Sequence, residues 1–237
     1  MKNRLKVVIS NPISIREKVY EAIRNDILNG RIAPEERVIE TRLAGQIKTS
    51  RTPVREALHM LEREGLLEAI PRVGYRVKAL RQDEVEEICE IRRVNETLAA
   101  HWAMERITAR ELQALEENLF HSEAEVRRGN PKSFVDLDAE FHEILARASG
   151  SERLQELCQL LRRHMLRYRI ESIFLEENVL QAIRGHRRIF ECLKKRDPEG
   201  VEQAIKRHLE TSKNDILIHA FGSMKRRGNI ARGSLYE

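Results

Sequence analysis

Residues 49–58, Thr-Ser-Arg-Thr-Pro-Val-Arg-Glu-Ala-Leu, constrain the fold of this chain more than any other stretch. Val54, Ala57, Leu58 and Leu61 recur at i, i+3, i+4 and i+7, the apolar stripe of a short amphipathic helix. Arg51, Arg55 and His59 share the opposite face, so two guanidiniums project from the helix's first turns. Thr52 as N-cap with Pro53 at N1, or Ser50 as N-cap, opens the helix, and Gly65 ends it. A helix N-terminus carrying arginines suits phosphates and guanine edges in the DNA major groove. A solvated basic face is the plain alternative, and the neighbouring segments decide between them.

Upstream, Ile15, Val19, Ala22, Ile23 and Ile27 form a helical apolar face closed by Asn29-Gly30. Val38-Ile39 is a strand stub, and Thr41 to Ile47 a short helix with Leu43, Ala44 and Ile47 inward. Only Lys48-Thr49 separates it from the basic helix, so two helices meet through a tight turn. After Gly65, residues 66–70 and 75–78 read as strands joined through Pro71-Arg72-Val73-Gly74. This is a winged helix-turn-helix whose wing arginines, Arg72 and Arg76, would lie against the backbone or the minor groove.

Residues 15–80 resemble the DNA-binding domain of the GntR family of bacterial transcription regulators. The run Ser50 to Leu58, followed by Leu61-Glu62 and Glu64-Gly65-Leu66, is close to that family's signature. The resemblance implies that Arg51 and Arg55 contact bases and that Ser50 and Thr52 hold phosphates. It also shows two departures. Some relatives carry a third base-reading arginine where this chain has Thr41, with Arg42 one position later. The usual turn glycine is Lys48, where a left-handed backbone would cost about 1 kcal/mol.

Charge agrees with a basic reader joined to an acidic partner. Residues 1–80 hold 16 Lys and Arg against 10 Asp and Glu, whereas residues 81–221 hold 23 against 27. The last residues, 222–237, hold 4 against 1 and read as a basic flexible tail. The expected domains are therefore 1–80, 81–221 and this tail. Cys89, Cys158 and Cys192 are scattered, as buried thiols in a reducing cytosol would be. No apolar run approaches membrane-spanning length and the start lacks a long h-region, so a cytoplasmic protein is expected.

From Gln82 onward helical patterns follow one another. The caps predict six: 83–104, 108–128, 131–149, 151–170, 176–196 and 197–220. The predicted fold class is mainly α, a winged helix-turn-helix followed by an all-α bundle of about six helices. Three helices place polar residues in the apolar stripe. Phe134, Asp138, Phe141, His142 and Leu145 share a side, with Asp138 and His142 at i and i+4. His186 sits among Val179, Ile183, Ile189, Phe190 and Leu193, and His208 among Val201, Ala204, Ile205, Ser212 and Ile216. A core aspartate is expensive unless paired or metal-bound. Three imidazoles and one carboxylate suit a divalent transition metal, with zinc foremost and manganese, nickel or iron as alternatives. Satisfied core histidines are the plain alternative. His164, beside Leu157, Leu160, Leu161 and Tyr168, also counts as inward and is a candidate pocket residue.

Residues 84–215 resemble the all-helical effector domain, the FCD type, of the FadR subgroup of GntR regulators. That resemblance implies metal ligands at Asp138, His142, His186 and His208. It also matches Arg92 and Glu96 to a recurrent arginine–glutamate pair whose arginine holds the carboxylate of a small organic acid effector. Asn95 stands where a leucine is common and is a further candidate effector contact. The expectation is a metabolite-responsive regulator, a repressor by the family's commonest role, not an enzyme. It would bind a palindromic double-stranded operator as a homodimer, with the 77–83 connection relaying bundle geometry to the readers. A purely structural metal, a metal-dependent enzyme acting on an organic acid, and an architectural DNA-binding protein without effector are the alternatives.

Overall fold

The computed structural model describes residues 14–28, 30–173 and 175–221, without the side chains of 132, 167 and 169–173. Asn29 and the expected tail 222–237 lie outside the described residues. The chain divides into two compact units between Ala79 and Leu80.

In the first unit, α1 (Ile15–Leu28), α2 (Glu40–Ile47) and α3 (Arg51–Arg63) surround a core of Val19, Ile23, Ala44, Val54, Leu58 and Leu61. Strands β1 (Arg37–Val38), β2 (Leu67–Ile70) and β3 (Gly74–Val77) form an antiparallel sheet in the order β1-β3-β2. Register sets Val38 and Ala69 opposite Tyr75, and Leu67 opposite Val77, which turns Val38, Leu67, Tyr75 and Val77 onto the core. Gly74 lets β1 pass closely, since a Cβ there would lie 3.1 Å from the Val38 carbonyl oxygen. Glu64, buried past the end of α3, accepts hydrogen bonds from Tyr20 Oη at 2.7 Å and Arg24 Nε at 2.9 Å. This carboxylate ties α1 to α3.

At the start of α3 the structure selects one of the two N-cap candidates, and on α2 one expectation is corrected. Ser50, with β-region angles, is the N-cap of α3 and makes no side-chain cap bond; Thr52 and Pro53 lie inside the first turn. Proline is tolerated there because the first N–H groups of a helix have no intrahelical acceptor. Ile47 is exposed rather than inward, because α2 is only two turns long and buries little beyond Ala44. Lys48 has φ 55 and ψ 47, so the turn keeps its left-handed conformation without glycine.

The second unit has six α-helices among the described residues: α4 (Gln82–Arg106), α5 (Ala109–Arg127), α6 (Phe134–Ala148), α7 (Glu152–Ile173), α8 (Glu176–Lys195) and α9 (Pro198–Ile216). A 3₁₀ turn precedes α6 and a π turn follows α9. The boundaries follow their caps. Thr108 and Glu111 close a capping box at the start of α5, and Asp197 accepts from the Gly200 N–H at 2.9 Å. The main core joins Ala100, Leu115, Leu119, Phe141, Leu145, Ile189, Phe190 and Ile205 from α4, α5, α6, α8 and α9. No helix among the described residues is long and apolar enough to cross a membrane.

Helix α7 differs from expectation in phase. Its buried stripe is Leu154, Cys158, Leu161, Met165 and Tyr168, whereas Leu157 and Leu160 are exposed and His164 is half-buried. Two apolar stripes overlap on this helix, and packing against α4 and α6 covers only the first.

Candidate DNA-reading face and candidate metal centre

On α3, the buried stripe Val54, Ala57, Leu58 and Leu61 forces Ser50, Arg51, Thr52 and Arg55 outward, and all four are exposed. Arg51 and Arg55 do not hang free. Glu40, the first residue of α2, accepts from Arg51 Nε at 2.7 Å through Oε1. It accepts from Arg55 Nε at 2.9 Å through Oε2 and from Arg55 Nη2 at 3.1 Å through Oε1. These bonds, that from Arg55 foremost, hold the Glu40 carboxyl below the ordinary value. Arg42 is exposed on α2. Arg72 is exposed at the tip of the hairpin with φ 64, and Arg76 pairs across the hairpin with Glu68 at 2.8 Å. His59 shares the α3 face but is held by Tyr75, whose Oη lies 3.1 Å from Nδ1.

In the second unit, Asp138, His142, His186 and His208 come together, all buried, with one potential ligand atom from each within 4.8 Å of the others. His142 Nε2 lies 3.2 Å from His186 Nε2, and Asp138 Oδ1 lies 3.5 Å from the same atom. Tetrahedral bonds of about 2.0–2.2 Å place ligand atoms about 3.3–3.6 Å apart, so these two pairs are near the spacing such an ion needs, while the whole set, within 4.8 Å, is somewhat wider. Phe141 stacks on His186 with centroids 4.1 Å apart and planes 7° apart, which fixes the ring. Burial foremost, then His208 and His142, holds the His186 imidazole well below its ordinary value. Burial also lowers His142 in spite of Glu96. Both shifts favour the neutral imidazole, the form a metal requires.

Behind this cluster stands a charged layer that sequence reasoning recovered only in part. Glu96 Oε2 lies 2.9 Å from His142 Nδ1, leaving Nε2 to face the other ligands. A carboxylate behind a ligating imidazole fixes its tautomer and orientation. Arg92 donates to Glu96 at 2.8 Å, and both are buried. Burial pushes the Glu96 carboxyl up, but Arg92, His142 and Arg162 outweigh it and hold it well below the ordinary carboxylate value. Arg162, from α7, was missed; it donates to Asp138 Oδ2 at 3.0 Å and lines a small void with Glu96, Ala99, His142 and Cys158. It follows Cys158 by four residues and precedes Met165 by three, a signal visible only with the correct α7 stripe.

Asn95 and His164 are not among the residues lining this void; Asn95 donates instead to the Ile91 carbonyl on its own helix at 2.9 Å. A second opening, a cleft of about 560 Å³ between α8 and α9, has His208 in its wall with Arg184, Gly185, Arg188 and Arg207 around it.

Comparison with known proteins matches both units to described families. The family description "Bacterial regulatory proteins, gntR family" matches residues 15–77, and "FCD domain" matches residues 87–211. The HTH-type transcriptional regulator YdhC of Bacillus subtilis (strain 168) is 32% identical over 201 residues, 84% of this chain and 90% of its own. The HTH-type transcriptional repressor RspR of Escherichia coli (strain K12) is 29% identical over 196 residues, 83% of this chain and 86% of its own. The solved structure of E. coli McbR/YncC shares the fold, with TM-score 0.70 and 24% identity over 86% of this chain and 98% of its own. These relatives are regulators of transcription and not enzymes. The chain belongs to the GntR family of bacterial transcription regulators, in the FadR subgroup that joins this helix-turn-helix to an FCD domain.

Proposed function

We propose that this regulator is a cytoplasmic repressor that binds a palindromic operator as a homodimer and releases it when a small organic acid enters the metal-bearing bundle. One observation carries the reading: the same chain holds an exposed arginine pair on α3 and a buried Asp-His₃ cluster in its helical unit. Arg51 and Arg55 would read base edges, while Ser50 and Thr52 at the helix start, with Arg42, Arg72 and Arg76, would position the duplex through its backbone. The name of the RspR relative, a repressor, favours repression over activation.

Asp138, His142, His186 and His208 would hold a divalent transition metal, zinc foremost, with manganese, nickel or iron as alternatives. Bound there, the ion supplies a Lewis-acid position for a carboxylate oxygen. Glu96 keeps His142 oriented, and Arg92 and Arg162 supply the positive charge on the inner side of the cluster. A small carboxylate would meet this charge, with Asn95 and His164 the more remote candidates. By linkage, such an acid releases DNA only if it binds the DNA-competent arrangement less tightly than the other.

The test begins with a duplex enriched from a random pool by the purified protein. Arg55→Ala should weaken binding to it by about 1–3 kcal/mol, and small di- and tricarboxylates should be screened for release of the parent protein. Unchanged affinity of Arg55→Ala would remove the reader assignment, and insensitivity to every acid would remove the carboxylate effector.

A further inference from the structure

We propose that Glu40 is a positioning residue for DNA reading, a single carboxylate that fixes both reader arginines and discourages binding to DNA of the wrong sequence. The proposal rests on α3 being the reading helix. Glu40 is largely covered at 15% side-chain exposure, whereas Arg51 and Arg55 are 60% and 55% exposed. The carboxylate therefore sits behind the guanidiniums and not in front of them.

The pattern of bonds matters more than their number. Glu40 engages Arg55 along its Nε–Nη2 edge and Arg51 through Nε alone. A guanidinium has a second edge, formed by its two Nη groups, and bonding to Glu40 along the Nε side leaves that end-on edge available on both exposed arginines. Guanine is read by two parallel N–H donors meeting O6 and N7, which the end-on edge supplies. The clamp and the base contact are thus compatible on the same side chains. Without Glu40, two like charges one helical turn apart would repel and sample many rotamers, and each would reach phosphates as readily as bases.

Glu40 also sets a charge balance at the DNA face. Two arginines sharing one buttressing carboxylate carry a net charge of about +1 toward the duplex instead of +2, which weakens the sequence-independent part of binding. The hydrogen bonds to the arginines keep that carboxyl ionised. A role limited to the α2 helix dipole would need only a negative charge in the first turn, which aspartate supplies equally well. Reaching two guanidiniums at once needs the longer glutamate side chain.

The experiment compares the full-length parent, Glu40→Gln, Glu40→Asp and Arg55→Ala on two probes: the enriched duplex and a random duplex of equal length, each across a salt series. Thermal melting first establishes that the variants are folded. Glu40→Gln should bind the random duplex more tightly, with a steeper salt dependence. Its ratio of specific to random affinity should fall about ten-fold or more. Glu40→Asp should also lose specificity, because its carboxylate is one methylene short. A ratio within two-fold of the parent in Glu40→Gln, or full retention in Glu40→Asp, overturns the proposal. If Arg55→Ala collapses the ratio while Glu40→Gln does not, only the role of Glu40 fails. If Arg55→Ala leaves the ratio intact, α3 is not the reader and both readings fall.

Discussion

Gly185 shows how far a single residue can decide a site. A Cβ at this position would lie 2.6 Å from His208 Nδ1 and 3.2 Å from its Cγ, so glycine is what allows the imidazole to stand beside α8. Gly185→Ala should displace His208 and weaken metal binding about 10–100-fold, on the scale of other disturbances to ligand orientation. Competition against a chelator measures this, and unchanged affinity would remove His208 from the ligand set. In the sequence, Asp138 and His142 were legible because i, i+4 spacing beside Phe134 and Phe141 leaves both side chains one place to go. His186 and His208 were legible as polar centres of apolar stripes, but nothing in the sequence shows that two helices set them side by side. The Glu96–His142 contact, the Arg162–Asp138 bond and the Glu40 clamp were illegible for the same reason. Each joins side chains on different helices, a matter of packing and not of period.

At the scale of elements, helices declared themselves through their ends. The Thr108–Glu111 box, the Asp197-Pro198 start and the glycines at 129 and 150, which adopt φ 73 and 69, are local chemistry and need no tertiary context. The face of α7 was not local. Two apolar stripes share that helix, and only its neighbours select one. The junction of α1 and α3 has a distinct consequence for stability. Burial and the hydrogen bond to Glu64 push the Tyr20 phenol up to about 12. An unfolded tyrosine titrates near 10. The folded chain therefore holds this proton more tightly, and the contribution is complete below about pH 10 and disappears as the pH rises to about 12. Denaturant midpoints across that window should fall more for the parent than for Tyr20→Phe, which has no phenol to ionise. Parallel curves would show that Tyr20 contributes nothing to the alkaline loss.

At the scale of the whole molecule, the proposed palindromic operator would require two copies, and exposed apolar residues of the second unit are the proposed surface for pairing. Ile91, Val94 and Leu98 leave an exposed apolar stripe on α4, and Leu157 and Leu160 leave another on α7, which packs against it. Val94, 58% exposed, is the most open of the five, so Val94→Glu should weaken the proposed dimer at least about ten-fold, because a carboxylate is costly to bury without a partner. Sedimentation velocity over a dilution series reads this, and an unaltered dimer would move the interface elsewhere. Whether a metal in the helical bundle underlies control of DNA binding is tested first by elemental analysis of untagged protein purified without chelator. About one transition-metal ion per chain is expected, lost in His142→Ala and His208→Ala. No bound metal in the parent, even after incubation with zinc, manganese or nickel, would contradict it and leave the four residues as a polar core.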